Sequence, residues 1–262
     1  MNRAMSFLSV EARRRSPSLG PERKPAGCVT RRLTVARRPG GAVVSLSCVT
    51  PRWPVVLFDF DGTLADTIPL IVASYHHALG AVLGEEAPEH EVRSWIGRPL
   101  QPVLEERYPG RGAELTDVYR TWNLANHDEL IRTVDGVPEL LDDLHAAGAR
   151  TGVVSSKKGD TVRLGLRAVG LADRIDVLAG QEETDLHKPH PAPLLHAAAQ
   201  LGAAAHECVY VGDATVDVEA ARAAGMAAVA VTWGAGREAA LAAAGPDALV
   251  TDVAGLRAAL FA

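Results

Sequence analysis

The chain of 262 residues has few cysteines, few aromatic side chains and no long hydrophobic run. Its three cysteines, Cys28, Cys48 and Cys208, form no CxxC pair, and an odd number argues against a disulfide framework. No segment approaches the ~18–20 consecutive apolar residues that a helix needs to span a bilayer. A membrane-spanning protein or a disulfide-stabilised secreted domain is therefore not expected, and a reducing, cytoplasmic setting fits best.

Charge is distributed unevenly along the chain. Residues 1–54 carry eleven Lys or Arg against two Glu, a net of +9, whereas the other 208 residues carry sixteen basic and thirty acidic side chains, a net of -14. An acidic surface does not favour contact with a polyanion. We therefore expect no nucleic-acid partner for the folded part of the chain.

Residues 1–53 are predicted to form a basic, disordered extension. They contain RRR at 13–15, scattered Pro and Gly, and little apolar periodicity. Such a segment buries too little surface to offset the entropy that it would lose on folding. Three alternatives remain open: a transit peptide, an arm that binds nucleic acid or a membrane, and a translation start at a later, non-Met codon.

From residue 54 onward, short apolar runs alternate with helical patterns. The predicted strands span 55–60, 151–154, 177–179, 208–211, 227–231 and 248–250. The predicted helices between them span 138–147, 161–169, 193–201, 216–224 and 238–243. This alternation predicts an α/β fold, a Rossmann-like parallel sheet with helices on both faces.

Residues 68–134 interrupt the alternation. They contain no good strand, but 70–83 and 115–126 have amphipathic helical patterns. We therefore expect an α-helical cap over 68–134, inserted into an α/β core formed by 54–67 and 135–262. Ligands bind beyond the carboxyl ends of the strands in such sheets, so an insertion that leaves this edge can cover the site as a lid. A domain that serves packing alone is the alternative.

The strongest motif is VVLFDFDGTLADT, residues 55–67, in which a buried strand leads to Asp59 and Asp61. Gly62 allows the chain to turn sharply after them. Two carboxylates so close repel each other unless a cation or a shared proton compensates. The pair therefore suits a metal site or a division of roles between nucleophile and acid, although a polar strand end before a turn is the simpler alternative.

A second strand ends in the segment VYVGDATVD, residues 209–217. Asp213 follows the strand directly and is positioned to complete an oxygen-rich Mg²⁺ site with Asp59. Asp217 falls in the first turn of the next helix, where it could be a helix-start carboxylate or a partner of the metal ligands. Helix capping alone would also explain both residues.

Two further strand ends supply groups that can bind phosphate. Ser155 in VVSSKK ends a predicted strand, where its hydroxyl and nearby backbone N–H groups could hold an anion. Lys188 in HKPHP lies in a Pro-bounded loop and could serve as a point charge for a phosphoryl oxygen. Neither residue is distinctive alone, but their combination with the two acidic motifs is.

These four motifs occur in the order DxDGT, a strand-end Ser, KP and GDxxxD, between residue 55 and about residue 253. In this order they resemble those of the haloacid dehalogenase-like hydrolase superfamily, whose small α-helical cap the helical insertion also resembles. The members most similar in DGTLADT, SWIGRPL and VTWG are phosphoglycolate phosphatases and their pyrophosphatase relatives.

The resemblance implies a role for each principal residue. Asp59 would be the nucleophile, and Asp61 would protonate the leaving oxygen and then deprotonate a water, with its backbone carbonyl facing the metal. Ser155 and Lys188 would bind phosphoryl oxygens. Asp213 would join Asp59 and Asp61 in holding Mg²⁺.

Five more residues receive smaller roles. Asp217, Gly62 and Thr63 would be auxiliary to the catalytic groups. Ser156 follows Ser155 where family members often have Asn, and we expect it at the substrate. Arg98, in the cap segment IGRPL, could contact an anionic substrate or be an ordinary surface residue.

The implied function is a Mg²⁺-dependent phosphatase that acts on a small phosphorylated metabolite, with phosphoglycolate as the first choice. An inorganic pyrophosphatase, a sugar-phosphate phosphatase or a phosphomutase of the same fold are alternatives. A catalytically silent binding protein is the alternative from another class. His187 and His190 could suggest zinc, but no further Cys or His cluster supports a tetrahedral site.

Overall fold

The computed structural model describes residues 50–262. The strands of this part are β1 (Val55–Phe58), β2 (Ala65–Asp66), β3 (Arg132–Thr133), β4 (Arg150–Val154), β5 (Val177–Ala179), β6 (Cys208–Gly212), β7 (Ala227–Val231) and β8 (Ala248–Val250). Six of them form one sheet in the order β5-β4-β1-β6-β7-β8, and every neighbouring pair is parallel. The predicted parallel sheet is confirmed.

Helices connect these strands and cover the sheet. They are α1 (Ile68–Leu83), α2 (Glu89–Trp95), α3 (Leu100–Arg107), α4 (Gly112–Leu130), α5 (Val137–Ala146), α6 (Gly159–Ala168), α7 (Ala192–Gln200), α8 (Thr215–Ala224), α9 (Glu238–Ala244) and α10 (Val253–Leu260). The C-terminal helix α10 was not predicted. The other helices after residue 134 lie within two residues of their predicted bounds.

Alternation of side chains along β1 explains why helices cover both faces of the sheet. Val56 and Phe58 pack into one apolar cluster, which also receives side chains from α5, α6 and α10. Val55 and Leu57 pack into a second cluster, with side chains from α7, α8 and α9. Because every residue of β1 is buried, this strand reads as a continuous apolar run rather than as an alternating one.

Helices α1 to α4 form the insertion between β2 and β3, and their apolar side chains build a third cluster. Tyr75, Trp95 and Tyr119 lie at its centre, with edge-to-face ring contacts from Tyr75 to the other two. The two ends of the insertion meet where Ala65 and Asp66 pair with Thr133 and Arg132. This antiparallel pair was missed, because strands of two residues carry no periodic signal.

Residues near position 50 pack against the end of the chain. The backbone N–H of Arg52 donates to the Leu260 carbonyl, and that of Ala262 donates to the Thr50 carbonyl. Residues 1–49, on which most of the predicted basic extension falls, lie outside the described residues. Within residues 50–262, no helix is long and apolar enough to cross a membrane.

Candidate active site

The three central strands of the sheet end at the same level. Phe58 of β1 pairs with Val153 of β4 and with Val211 of β6. The chemically important residues follow directly: Asp59 after β1, Ser155 after β4 and Asp213 after β6. Parallel strands in register thus bring together residues that lie up to 154 positions apart in the sequence.

Three buried carboxylates meet beyond these strand ends. Asp59, Asp213 and Asp217 each have a carboxylate oxygen within 4.8 Å of the others, and they are only 2%, 1% and 1% exposed. Burial, together with the Asp217 and Asp61 charges, raises the pKa of Asp59 to about 7 against the opposing effect of Lys188. Burial and the neighbouring carboxylates Asp217 and Asp59 also raise the pKa of Asp213 well above its usual value.

Lys188 is the buried cation of this cluster. Its Nζ donates to Asp217 Oδ1 at 2.7 Å and lies 3.1 Å from Asp59 Oδ1. It also donates to the Tyr210 hydroxyl at 3.0 Å, and this hydroxyl donates to the Val154 carbonyl. Although burial disfavours the charged form, the Asp217 and Asp59 carboxylates raise the pKa of Lys188 well above its usual value. The lysine therefore stays protonated.

Neighbouring loops fix the orientation of Asp213. Its Oδ2 accepts a hydrogen bond from the backbone N–H of Ala235 at 2.6 Å, and Thr63 Oγ1 lies 3.4 Å from its Oδ1. The indole of Trp233 donates to the Thr63 carbonyl at 3.2 Å. Ala235, directly after the segment VTWG, and Thr63 of the segment DGT therefore contact the same carboxylate.

Asp61 lies apart from the three clustered carboxylates and lines the adjoining cavity. Its Oδ1 accepts a hydrogen bond from Thr67 Oγ1 at 2.7 Å and another from Lys157 Nζ at 2.6 Å. Two side chains thus hold Asp61, and neither Thr67 nor Lys157 was given a role from the sequence.

The donor set fits a divalent cation. Asp59 Oδ1 is buried and, apart from its ion pair with Lys188, has no hydrogen-bond partner within the described residues. Three carboxylates meet beside one buried lysine, which forms ion pairs with Asp59 and Asp217, so a second cation is needed for all three to be ionised. Carboxylate and carbonyl oxygens are the ligands that Mg²⁺ takes in proteins. Asp59 and Asp213, which directly follow their strands, therefore suit Mg²⁺, whereas Asp217 is tied to the Lys188 ammonium and the Ala214 N–H by two short hydrogen bonds.

A cavity of about 270 Å³ opens over Asp59 and Asp61, between the sheet edge and the helical insertion. Its wall includes these two residues, Ser155, Ser156, Lys157 and Lys158 from the core, and Ile71, Tyr75, Ile96, Gly97, Arg98, Leu100, Tyr119, Arg120, Asn123 and Leu124 from the insertion. Arg98 reaches this wall but also forms an ion pair with Glu106 at 2.6 Å. Ser156 Oγ donates to the Gly97 carbonyl at 2.8 Å.

Most of the predicted site residues therefore lie together. Asp59, Asp213, Asp217 and Lys188 form one buried cluster, while Asp61, Ser155, Ser156 and Arg98 line the cavity beside it. Gly62 has a φ of 72°, as its predicted turn requires, and Thr63 reaches Asp213. The sequence contained no signal for the contacts of Lys157 and Tyr210, which depend on a bend after β4 and on the packing of β6.

Comparison with known proteins agrees with this geometry. The chain is 36% identical to the pyrophosphatase PpaX of Bacillus velezensis over 182 residues, 70% of this chain and 84% of the relative. It is 34% identical to the pyrophosphatase PpaX of Bacillus pumilus over 203 residues, 78% and 94% of the two chains.

A solved structure described as a predicted phosphoglycolate phosphatase of Haemophilus somnus superposes with a TM-score of 0.69 at 27% identity, covering 78% of this chain and 96% of the other. The family model for haloacid dehalogenase-like hydrolases matches residues 56–231. The predicted resemblance is confirmed: the chain belongs to the haloacid dehalogenase-like hydrolase family and is a phosphatase of that family.

Proposed function

We propose that this phosphatase is Mg²⁺-dependent and hydrolyses a small phosphorylated metabolite through an aspartyl-phosphate on Asp59. The observation that carries the proposal is the meeting of Asp59, Asp213 and Lys188 at one buried point beside the cavity. A carboxylate nucleophile, a cation and an acid–base group are the parts that phosphoryl transfer by this route needs.

In the first half-reaction, an oxygen of Asp59 attacks phosphorus. The bond from phosphorus to the leaving oxygen breaks, and this oxygen takes a proton from Asp61. Ser155 and Lys188 bind phosphoryl oxygens, and their donors compensate the negative charge on the group in transit. Burial of Lys188 between Asp59 and Asp217 keeps its ammonium fixed before substrate arrives.

In the second half-reaction, Asp61 takes a proton from a water whose oxygen attacks the phosphorus of the intermediate. The bond to Asp59 breaks, and the carboxylate is restored. Mg²⁺, held by Asp59, Asp213 and the Asp61 carbonyl, would supply electrostatic stabilisation of the phosphoryl group. Asp217 holds Lys188 and lies in the first turn of α8, where its Oδ2 accepts the Ala214 N–H at 2.9 Å.

Two substrates are the first candidates. Phosphoglycolate is the predicted one, and the likeness to the Haemophilus somnus structure supports it. Inorganic pyrophosphate is the second, because both relatives compared above are named pyrophosphatases. A cationic group on the cavity wall, such as Arg98, would suit the second anionic group of either molecule.

A screen of phosphorylated metabolites, with Mg²⁺ and with a chelator, tests the proposal. We expect turnover of at least one compound that the chelator stops, and loss of at least about 10³-fold in kcat for Asp59→Asn, because an amide is a poor nucleophile. Asp160→Asn is the matched control, since this carboxylate is 97% exposed on α6. Wild-type activity in Asp59→Asn would refute the role of Asp59.

The cytoplasmic setting belongs to the same proposal. It rests on the sequence, whose three cysteines form no CxxC pair and are odd in number. In the described residues the sole cysteine, Cys208, is buried. Burial raises the pKa of its thiol to about 11, so it is a structural residue of the core.

A further inference from the structure

Lys157 connects the phosphate-binding loop to the acid–base residue. It lies two positions after Ser155, in the loop between β4 and α6. Its side chain is 16% exposed, and its Nζ donates to Asp61 Oδ1 at 2.6 Å, across 96 positions of sequence. The ammonium also lies over the ring of Phe60, 5.8 Å from its centre. Both contacts hold the charged end of the lysine.

Thr67 contacts the same oxygen. Its hydroxyl, which is fully buried, donates to Asp61 Oδ1 at 2.7 Å. Asp61 Oδ1 therefore has two donors, while Oδ2 makes no hydrogen bond within residues 50–262. Since Asp61 lines the cavity, Oδ2 is the oxygen left for a substrate.

The difference between the two oxygens of Asp61 decides which of them can exchange a proton with a substrate. An ammonium group has only donors, and the Thr67 hydroxyl already uses its proton on Oδ1. With both partners donating to Oδ1, a proton that Asp61 gives to the substrate leaves from Oδ2.

We propose that Lys157, with Thr67, is a positioning residue that turns Asp61 so that Oδ2 faces the leaving oxygen. This inference rests on the proposed acid–base role of Asp61. As the Asp59–phosphorus bond forms, the leaving oxygen departs with its electron pair and receives the Oδ2 proton. Throughout, the Lys157 ammonium and the Thr67 hydroxyl hold Asp61 Oδ1 in place. Later, the attacking water returns a proton to the same oxygen.

A direct role in substrate binding is the competing explanation, because Lys157 also lines the cavity. The two roles differ in their dependence on the leaving group. Loss of a phosphate-binding cation weakens every phosphomonoester alike. Loss of an acid's orientation harms substrates whose leaving alkoxide needs a proton, and spares those that depart as a stabilised phenolate.

The test is kcat/KM with saturating Mg²⁺ for alkyl phosphates, including phosphoglycolate, and for p-nitrophenyl phosphate. The value of kcat/KM depends only on the steps through loss of the leaving group. Hydrolysis of the phosphoenzyme, which is the same for every substrate, therefore does not affect it. General acids contribute ~10²–10⁴-fold to rates. We expect Lys157→Met to lower the alkyl values on the order of 10²-fold and the aryl value less than about tenfold, and Lys157→Arg to restore most of the loss.

Two sets of variants complete the test. Lys158→Met removes the neighbouring exposed lysine of the same cavity wall, and we expect it to change alkyl and aryl substrates by one common factor. Thr67→Val should reproduce the leaving-group dependence of Lys157→Met, whereas Thr67→Ser should not. In an Asp61→Asn background, Lys157→Met should cost nothing further, because it acts through Asp61.

The failures are distinguishable. Equal losses on alkyl and aryl substrates in Lys157→Met, with active wild-type protein and unchanged thermal unfolding, overturn the positioning role alone. Wild-type protein that hydrolyses neither substrate class, nor inorganic pyrophosphate, contradicts the proposed function, and the role of Lys157 with it.

Discussion

Ser156 Oγ donates a hydrogen bond to the Gly97 carbonyl at 2.8 Å and thereby joins the loop after β4 to the turn between α2 and α3. Gly97 has a φ of 93°, and a Cβ added to it would lie 3.0 Å from the Ala214 Cβ. The turn thus touches the loops that follow both β4 and β6. These contacts hold the helical insertion over the strand ends that carry Ser155 and Asp213.

Removal of this hydrogen bond should weaken substrate binding more than chemistry. A single hydrogen bond contributes about 0.5–1.5 kcal/mol, so we expect Ser156→Ala to raise KM about two- to tenfold with little change in kcat. Ser94→Ala is the matched control, because Ser94 also donates to a backbone carbonyl of the insertion, that of Glu91, but on the exposed helix α2. Steady-state kinetics of both variants measure the difference. If Ser156→Ala has the same KM as Ser94→Ala, the hydrogen bond of Ser156 does not help to hold the insertion over the site.

Gly62 is required for two reasons that a paired experiment separates. Its φ of 72° disfavours any side chain, and an added Cβ would lie 2.5 Å from Asp213 Oδ2. Gly84 has nearly the same φ, 70°, but nothing within 4 Å of such a Cβ. The left-handed conformation costs about 1–2 kcal/mol for a non-glycine residue.

We therefore expect Gly62→Ala and Gly84→Ala to share this loss in the free energy of unfolding, and Gly62→Ala alone to lose Mg²⁺-dependent activity. Urea titration and turnover assays measure the two effects. Full activity in Gly62→Ala would mean that Asp213 can move without harm.

Mg²⁺ should stabilise the folded protein by neutralising its buried carboxylates. A ligand at 100 times its dissociation constant adds about 2.7 kcal/mol, and each kcal/mol shifts Tm by about 2–4 °C in a domain of this size. We expect a rise of several degrees in wild-type protein and none in Asp213→Asn. Asp247→Asn is the control, since Asp247 accepts a hydrogen bond from the Ala228 N–H far from the cluster. A Tm shift retained in Asp213→Asn would contradict the metal assignment.

The metal-free protein should lose stability as pH rises. Burial, aided by the Asp217 and Asp61 charges, raises the pKa of Asp59 from 3.8 to about 7. The folded protein then keeps a proton that the unfolded chain releases, so the free energy of unfolding falls between about pH 4 and pH 7. Denaturant titrations across this range, in chelator, measure the slope. A free energy of unfolding that stays constant or rises between about pH 4 and pH 7 would show that Asp59 is ionised in the folded state.

The sequence was informative where local chemistry and topology coincide. Apolar runs bounded by Gly or Pro predicted the six strands of the sheet, and parallel strands must bring their carboxyl ends to one edge. Asp59, Ser155 and Asp213 could therefore be predicted to meet before any coordinates were known. The acidic ends of two separate strands are costly to bury without a cation, which made the metal site a natural expectation.

Contacts set by loop conformation were beyond prediction. Lys157 reaches Asp61 because the loop after Ser155 turns toward the DGT segment, and no pattern along the chain encodes that turn. Ser156 was expected at the substrate, and its contact with Gly97 depends on how the insertion packs against the sheet edge. The hydroxyl of Tyr210 falls beside Lys188 from inside an apolar strand, where the sequence alone indicates only a core residue.

The most direct measurement is the site of phosphorylation during turnover. Asp61→Asn enzyme is mixed with substrate and Mg²⁺, quenched in acid and digested, and the peptides are analysed by mass spectrometry. Slow hydrolysis of the intermediate should leave a phosphoryl group on Asp59, and none in the Asp59→Asn, Asp61→Asn double variant. A phosphoryl group on another residue, or turnover of wild-type enzyme without any covalent phosphoenzyme, would contradict the nucleophilic role of Asp59.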